Sequence, residues 1–200
     1  MRRATVWPVE RHPWRRLLGW LIDWCCILVW AAVLAAIAVP LYRGGLIPGL
    51  SSAAGNLVAT AVLVIPVTLG LAGLESRRGV ATIGKRVTGL RVTTVAGVRP
   101  GFGRAVARNG LKITVPWLIG HADVYALVAS SDAAVPGWLW VLTAAAYILP
   151  TVWIVSLFIG SGRTPYDRIA GTTVRATGRA ATTRRGNEGI TDPSARGGAG

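Results

Sequence analysis

Charge is scarce in this chain: charged residues make up 15% of its 200 positions, against 52% apolar. That balance excludes an ordinary water-soluble domain, because the apolar residues collect into long uninterrupted runs instead of alternating with polar ones. Cysteine is nearly missing too. The two present, Cys25 and Cys26, are adjacent inside an apolar run, which makes them poor candidates for a structural disulfide, and they have no metal-ligand spacing with any other cysteine. They read as small packing residues, and neither a metal site nor a cofactor is expected. No serine, histidine and acid come together in a nucleophile-elbow context, so the sequence does not argue for an enzyme.

What is present is hydrophobic length. With charges as boundaries, residues 17–42 form a run of 26 with Asp23 its one charge, and residues 53–74 form a run of 22 with none. Residues 113–131 are interrupted by His121 and Asp123, and residues 133–160 carry no charge across 28 positions. About 20 mostly apolar residues suffice for a spanning helix. Basic residues then fix the topology. Five precede the first run, one (Arg43) separates the first two, nine fall from Arg77 to Lys112, and seven follow Gly160. Four spans put 21 of the 22 on one side, as basic residues in short cytoplasmic loops require.

The expected fold class is therefore an all-α membrane protein with four transmembrane helices, at about residues 17–40, 53–74, 110–131 and 135–160. Both termini are expected inside, at the cell (inner) membrane. Residues 1–13 read as a cytoplasmic lead, 14–175 as the membrane domain and 176–200 as a disordered tail too poor in large apolar residues to order itself. The first run is too long for a signal peptide's apolar core and contains Asp23, so cleavage is not expected. Pro66 and Pro150 lie inside spans and predict bends. The net charge of +14 reads as loop retention and contact with anionic lipid headgroups, each basic residue contributing about 1 kcal/mol near the surface, and not as nucleic-acid binding.

The loop after span two contains RGVATIGKR, in which Gly79 to Lys85 has the G-x-x-x-x-G-K spacing of a phosphate-cradling loop. Arg86 stands where that motif needs Ser or Thr for magnesium, and the residues beyond read as a strand instead of a helix. The nucleotide reading is rejected. The following KRVTGLRVTTVAGVRPG, β-branched around a Val-Ala-Gly-Val turn, predicts a short β-hairpin at the membrane surface. Arg104, Arg108 and Lys112 recur at i, i+4 and i+8, a basic stripe suited to headgroup anchoring.

Asp23 is the sharpest single residue. It lies about 9 Å into span one at 1.5 Å per residue, where an ionised carboxylate costs about 2.5–3.5 kcal/mol on insertion scales. Arg16, seven residues earlier, shares nearly the same helix face and is expected to compensate it, through a stretched side chain or a bridging water. His121 and Asp123 do not share a face, which argues against a paired relay there.

Three segments together resemble the RDD family of prokaryotic membrane proteins, over about residues 12–175. They are Arg16-Leu-Leu-Gly-Trp-Leu-Ile-Asp23, Thr82-Ile-Gly-Lys-Arg-Val-Thr-Gly-Leu-Arg-Val92 and Asp167-Arg-Ile-Ala-Gly-Thr-Thr-Val174. The resemblance implies that Arg16, Asp23 and Asp167 are the family's naming polar residues, that Gly84 and Lys85 form its loop turn, and that Arg104 and Arg108 are its basic pair. Gly79 sits one residue further from Gly84 than the family's usual form. Most members have no established activity; transport has been proposed, including sodium/proton exchange for some. Two functions follow as expectations. In one, Asp23 is the coupling carboxylate of a small-cation or solute transporter; in the other, the polar residues lock a non-transporting scaffold or accessory subunit. Four helices without an internal repeat are few for alternating access. A homo-oligomer or a membrane partner protein would supply the missing walls.

Overall fold

Proline and apolar length shape the helices. The computed structural model describes residues 11–47, 49–78, 81–130 and 135–177. Most of the expected lead, Gly79 of the loop motif and the tail beyond residue 177 lie outside the described residues. Helix α1 (Pro13–Arg43) starts with proline in its first turn, where a missing N–H breaks no bond. At 31 residues it is about 46 Å long, well beyond the roughly 30 Å hydrocarbon layer.

The second membrane segment is α2 (Ser52–Ala59), a π-helical turn (Thr60–Val64) and α3 (Ile65–Ser76) in one rod, with Ser51 accepting the Ala54 N–H at its start. A rod over residues 102–129 repeats the device: α5 (Phe102–Asn109), a π-helical turn (Gly110–Thr114) and α6 (Val115–Ala129). Each π turn holds the residue four before a proline, Val62 for Pro66 and Lys112 for Pro116. A proline ring crowds that residue's carbonyl in a regular helix, and the widened turn relieves the clash. The bend expected at Pro66 thus takes the form of a π turn, whereas α7 (Gly137–Phe158) runs through Pro150 as one helix.

Among the described residues, three helical stretches are long and apolar enough to cross a membrane: Pro13–Arg43, Ala53–Ser76 and Gly137–Phe158. The 102–129 rod starts earlier than the sequence indicates and runs antiparallel to the second segment, α5 against α3 and α6 against α2, with α6 also packed on α7.

At one end of the bundle sit two short helices, α4 (Ile83–Val87) and α8 (Pro165–Ile169), and a two-stranded sheet. The expected local hairpin is corrected here. Strand β1 (Leu90–Thr94) pairs antiparallel with β2 (Thr172–Ala176), with Val92 opposite Val174. The residues that a local partner strand needs are spent on α4 before it and on α5 after Pro100, so the partner comes from the far end of the chain. Lys85 likewise lies in a short helix, with β1 beginning only at Leu90. Leu90, Val92 and Val174 form a small apolar core, and Ala176, which the sequence assigns to the tail, belongs to β2.

Candidate functional site: a buried ion cluster

Two glycines bring the site together. Gly19 of α1 faces Gly84 of α4 so closely that a Cβ on Gly84 would lie 1.9 Å from the Gly19 carbonyl oxygen. One helical turn beyond Gly19, Asp23 therefore reaches the start of α4. Its Oδ1 accepts the Gly84 N–H at 2.9 Å and its Oδ2 accepts the Thr82 hydroxyl at 2.8 Å. Thr82, the N-cap residue, makes no cap bond of its own, so a carboxylate from another helix satisfies this N-terminus. Lys85 adds its ammonium 3.7 Å from Asp23 Oδ2. The G-K loop thus presents backbone N–H and lysine to an oxyanion, as a phosphate loop would, but the oxyanion is the protein's own Asp23.

Lys85 continues the network to Glu75, the penultimate residue of α3, at 2.7 Å. Glu75 also accepts Arg108 Nη1 on both oxygens, at 2.8 and 3.0 Å, and the Asn109 amide at 2.9 Å. Arg108 turns its Nε to Asp167 Oδ1 at 2.8 Å and lies over the Tyr166 ring. Asp167 Oδ1 also takes the Thr172 hydroxyl, and its Oδ2 takes Arg16 Nη2 at 2.5 Å, while Arg16 Nη1 donates to the Gly162 carbonyl. Thr164 caps α8 by accepting the Asp167 N–H. Burial alone would raise the Asp167 carboxyl, but Arg108 and Arg16 outweigh it and hold the group well below the usual carboxylate range.

All three carboxylates and Arg108 are buried, Asp167 completely. Paired charges at such depth are tolerated because the donors satisfy the oxygens, and removing one partner leaves an uncompensated charge.

The residues singled out from sequence are placed as follows. Arg16 and Asp23 share a helix face but do not pair: Arg16 goes to Asp167, and Asp23 goes to α4. Gly84, Lys85, Arg108 and Asp167 enter the cluster. Arg104 is exposed, whereas Arg108 and Lys112 turn inward and leave no headgroup-facing stripe, since Glu75 and Asp167 stand opposite Arg108. Asp123 accepts the Thr143 hydroxyl at 2.7 Å, and His121 stacks on Trp117. Cys25 and Cys26 are free and exposed.

Sequence reasoning missed Glu75, Thr82 and Asn109. Composition held one signal: Lys85 and Lys112 are the chain's two lysines among 22 basic residues, and both are buried here.

Beside the cluster, between α1 and α7, lies a cavity of about 50 Å³. Arg16, Asp23, Lys85, Arg108 and Lys112 border it, together with apolar side chains that include Trp20, Trp153 and Ile154. The RDD family model matches residues 11–171, which contain every charged member of this cluster. No curated protein and no solved structure matches the chain.

Proposed function

Because this chain belongs to the RDD family, we propose that it is a multi-pass protein of the cell membrane whose ion cluster is a polar lock in a non-transporting scaffold or accessory subunit. Four spans with both termini in the cytoplasm are part of the proposal. The 102–129 rod supports the fourth span, since it lies along a segment that is itself long enough to cross. The clustering of 21 of 22 basic residues on one side supports the orientation. Exposed arginines such as Arg104 then meet anionic headgroups. The partner is a second copy or another membrane protein.

One observation carries the lock: all six carboxylate oxygens of Asp23, Glu75 and Asp167 already accept a hydrogen bond from another part of the chain. A cation entering there would have to displace those donors, and Lys85 already holds a cation's place between Asp23 and Glu75. The cavity bordering Asp23 favours the second reading, a small-cation or solute transporter with Asp23 as the coupling carboxylate.

Reconstituted protein tests the two readings. The lock predicts no sodium/proton flux above protein-free liposomes, together with a lower unfolding temperature in Asp23→Asn. Flux in the wild type that disappears in a folded Asp23→Asn variant would overturn it.

A further inference from the structure

The cluster does not balance. By formal charge, Arg16, Lys85, Arg108 and Lys112 count four positive against three negative on Asp23, Glu75 and Asp167. The excess is localised on Lys112. Its side chain is 94% buried (6% relative exposure), yet its ammonium has no hydrogen bond or ion pair among the described residues. It borders the 50 Å³ cavity. Arg108 spends Nε and Nη1 on Asp167 and Glu75, and its Nη2, on a residue bordering the same cavity, has no hydrogen bond among the described residues.

An unpaired buried ammonium is costly, and the nearby carboxylates are already engaged. Asp23 borders the cavity but is held by Thr82, Gly84 and Lys85. Apolar side chains, Trp20 and Trp153 among them, complete the lining. A buried water needs about 10–15 Å³ of such space, so the cavity has room for a few waters or one oxyanion group and not for a large polar ligand.

We propose that this cavity is an anion site: Lys112 and Arg108 bind one oxyanion, a carboxylate or phosphate group, which neutralises the cluster. That chemistry has two sources, a free anion or the headgroup of an anionic lipid entering between α1 and α7. The proposal is independent of whether the protein transports anything.

The two lysines make the test direct. Full-length protein with isotope-labelled lysine, in phosphatidylcholine nanodiscs, is titrated with sodium phosphate and with sodium acetate against sodium chloride at equal ionic strength. Lys112→Arg, which keeps the charge, assigns the two lysine signals by the loss of one. A saturable shift of the Lys112 signal supports a free anion. No shift with free anions, but phosphatidylglycerol retained in native mass spectra from mixed-lipid nanodiscs, supports the headgroup. In either case Lys112→Met weakens binding about tenfold or more, the scale of one lost charged hydrogen bond, and Arg104→Gln leaves it unchanged. Absence of both responses in the wild type overturns the site, and so does binding that a folded Lys112→Met variant retains. The wild-type titration decides even if that variant fails to fold.

Discussion

The two ends of the bundle are built on different principles. At the polar end, five elements are cross-linked by ions: α1 to α4 through Asp23, α3 to α4 and α5 through Glu75, and α1 and α5 to α8 through Asp167. At the other end, α6 buries no residue at all, and α1 buries none beyond Ile27. Among the described residues, one side-chain hydrogen bond, Thr143 to Asp123, joins α6 and α7 there. In lipid, apolar side chains gain little by meeting each other instead of acyl tails, so directional bonds and close backbone contact fix helix positions. Geometry is therefore specified at the polar end, and the bilayer supplies the surroundings of the other.

The strongest way to break this contrast is Arg108→Met. Arg108 is the one side chain that bonds both Glu75 and Asp167, so its loss leaves two buried carboxylates under-compensated. The expected destabilisation is about 3–5 kcal/mol, read as a large fall in unfolding temperature in detergent, with α5 and α8 showing the first rise in hydrogen exchange. Little change would mean that the cluster is incidental to stability.

Acid sharpens the same point. Asp167 has a folded pKa below its unfolded value of about 3.9. Its contribution is therefore complete above that unfolded value and is lost as pH falls through the folded one. Wild-type unfolding temperature should drop steeply below about pH 4, and Asp167→Asn, already weaker at neutral pH, should lose less over the same interval. Parallel curves would remove Asp167 from the account.

Next in size is a pair of glycine replacements. Gly84→Ala puts a methyl into the Gly19 carbonyl, so α4 must withdraw and Asp23 loses its N–H donor; the expected cost is about 1–3 kcal/mol or more. Gly120→Ala in α6 meets nothing within 4 Å and should gain up to about 1 kcal/mol of helix propensity. Equal effects at both positions would erase the distinction between the ends.

The sequence announces this polar end unevenly. Asp23 stands out because a carboxylate within an apolar run demands a partner, but run length cannot say which. Arg16 was the nearest cation by helical phase, yet the chain folds back to bring Thr82, Gly84 and Lys85 instead. Glu75 was hidden by its position: a charge that ends an apolar run reads as a boundary, and only the packing of α3 on α5 makes it a hub. The sheet was hidden for a related reason, since the partner of Leu90–Thr94 lies beyond the 102–129 rod and α7. Helical rods, by contrast, follow from apolar length alone. The i, i+4, i+8 spacing of Arg104, Arg108 and Lys112 assumes an unbroken α-helix, and the π turn that accommodates Pro116 interrupts it at Lys112.

The smallest expected effect lies at the sparse end. Thr143→Val removes the bond to Asp123 while keeping the side chain's volume. Hydrogen bonds between membrane helices average about 0.6 kcal/mol, with a maximum near 1.7, because a freed polar group finds other partners. Thr143 also bonds back to the Leu139 carbonyl, which the helix satisfies without it. A shift of the unfolding temperature several times smaller than that of Arg108→Met is expected, with hydrogen exchange at α5 and α8 unchanged. If Thr143→Val instead loosened α5 and α8, the two ends would be mechanically coupled through the 102–129 rod, and the division of the bundle into a specified end and a lipid-supported end would fail.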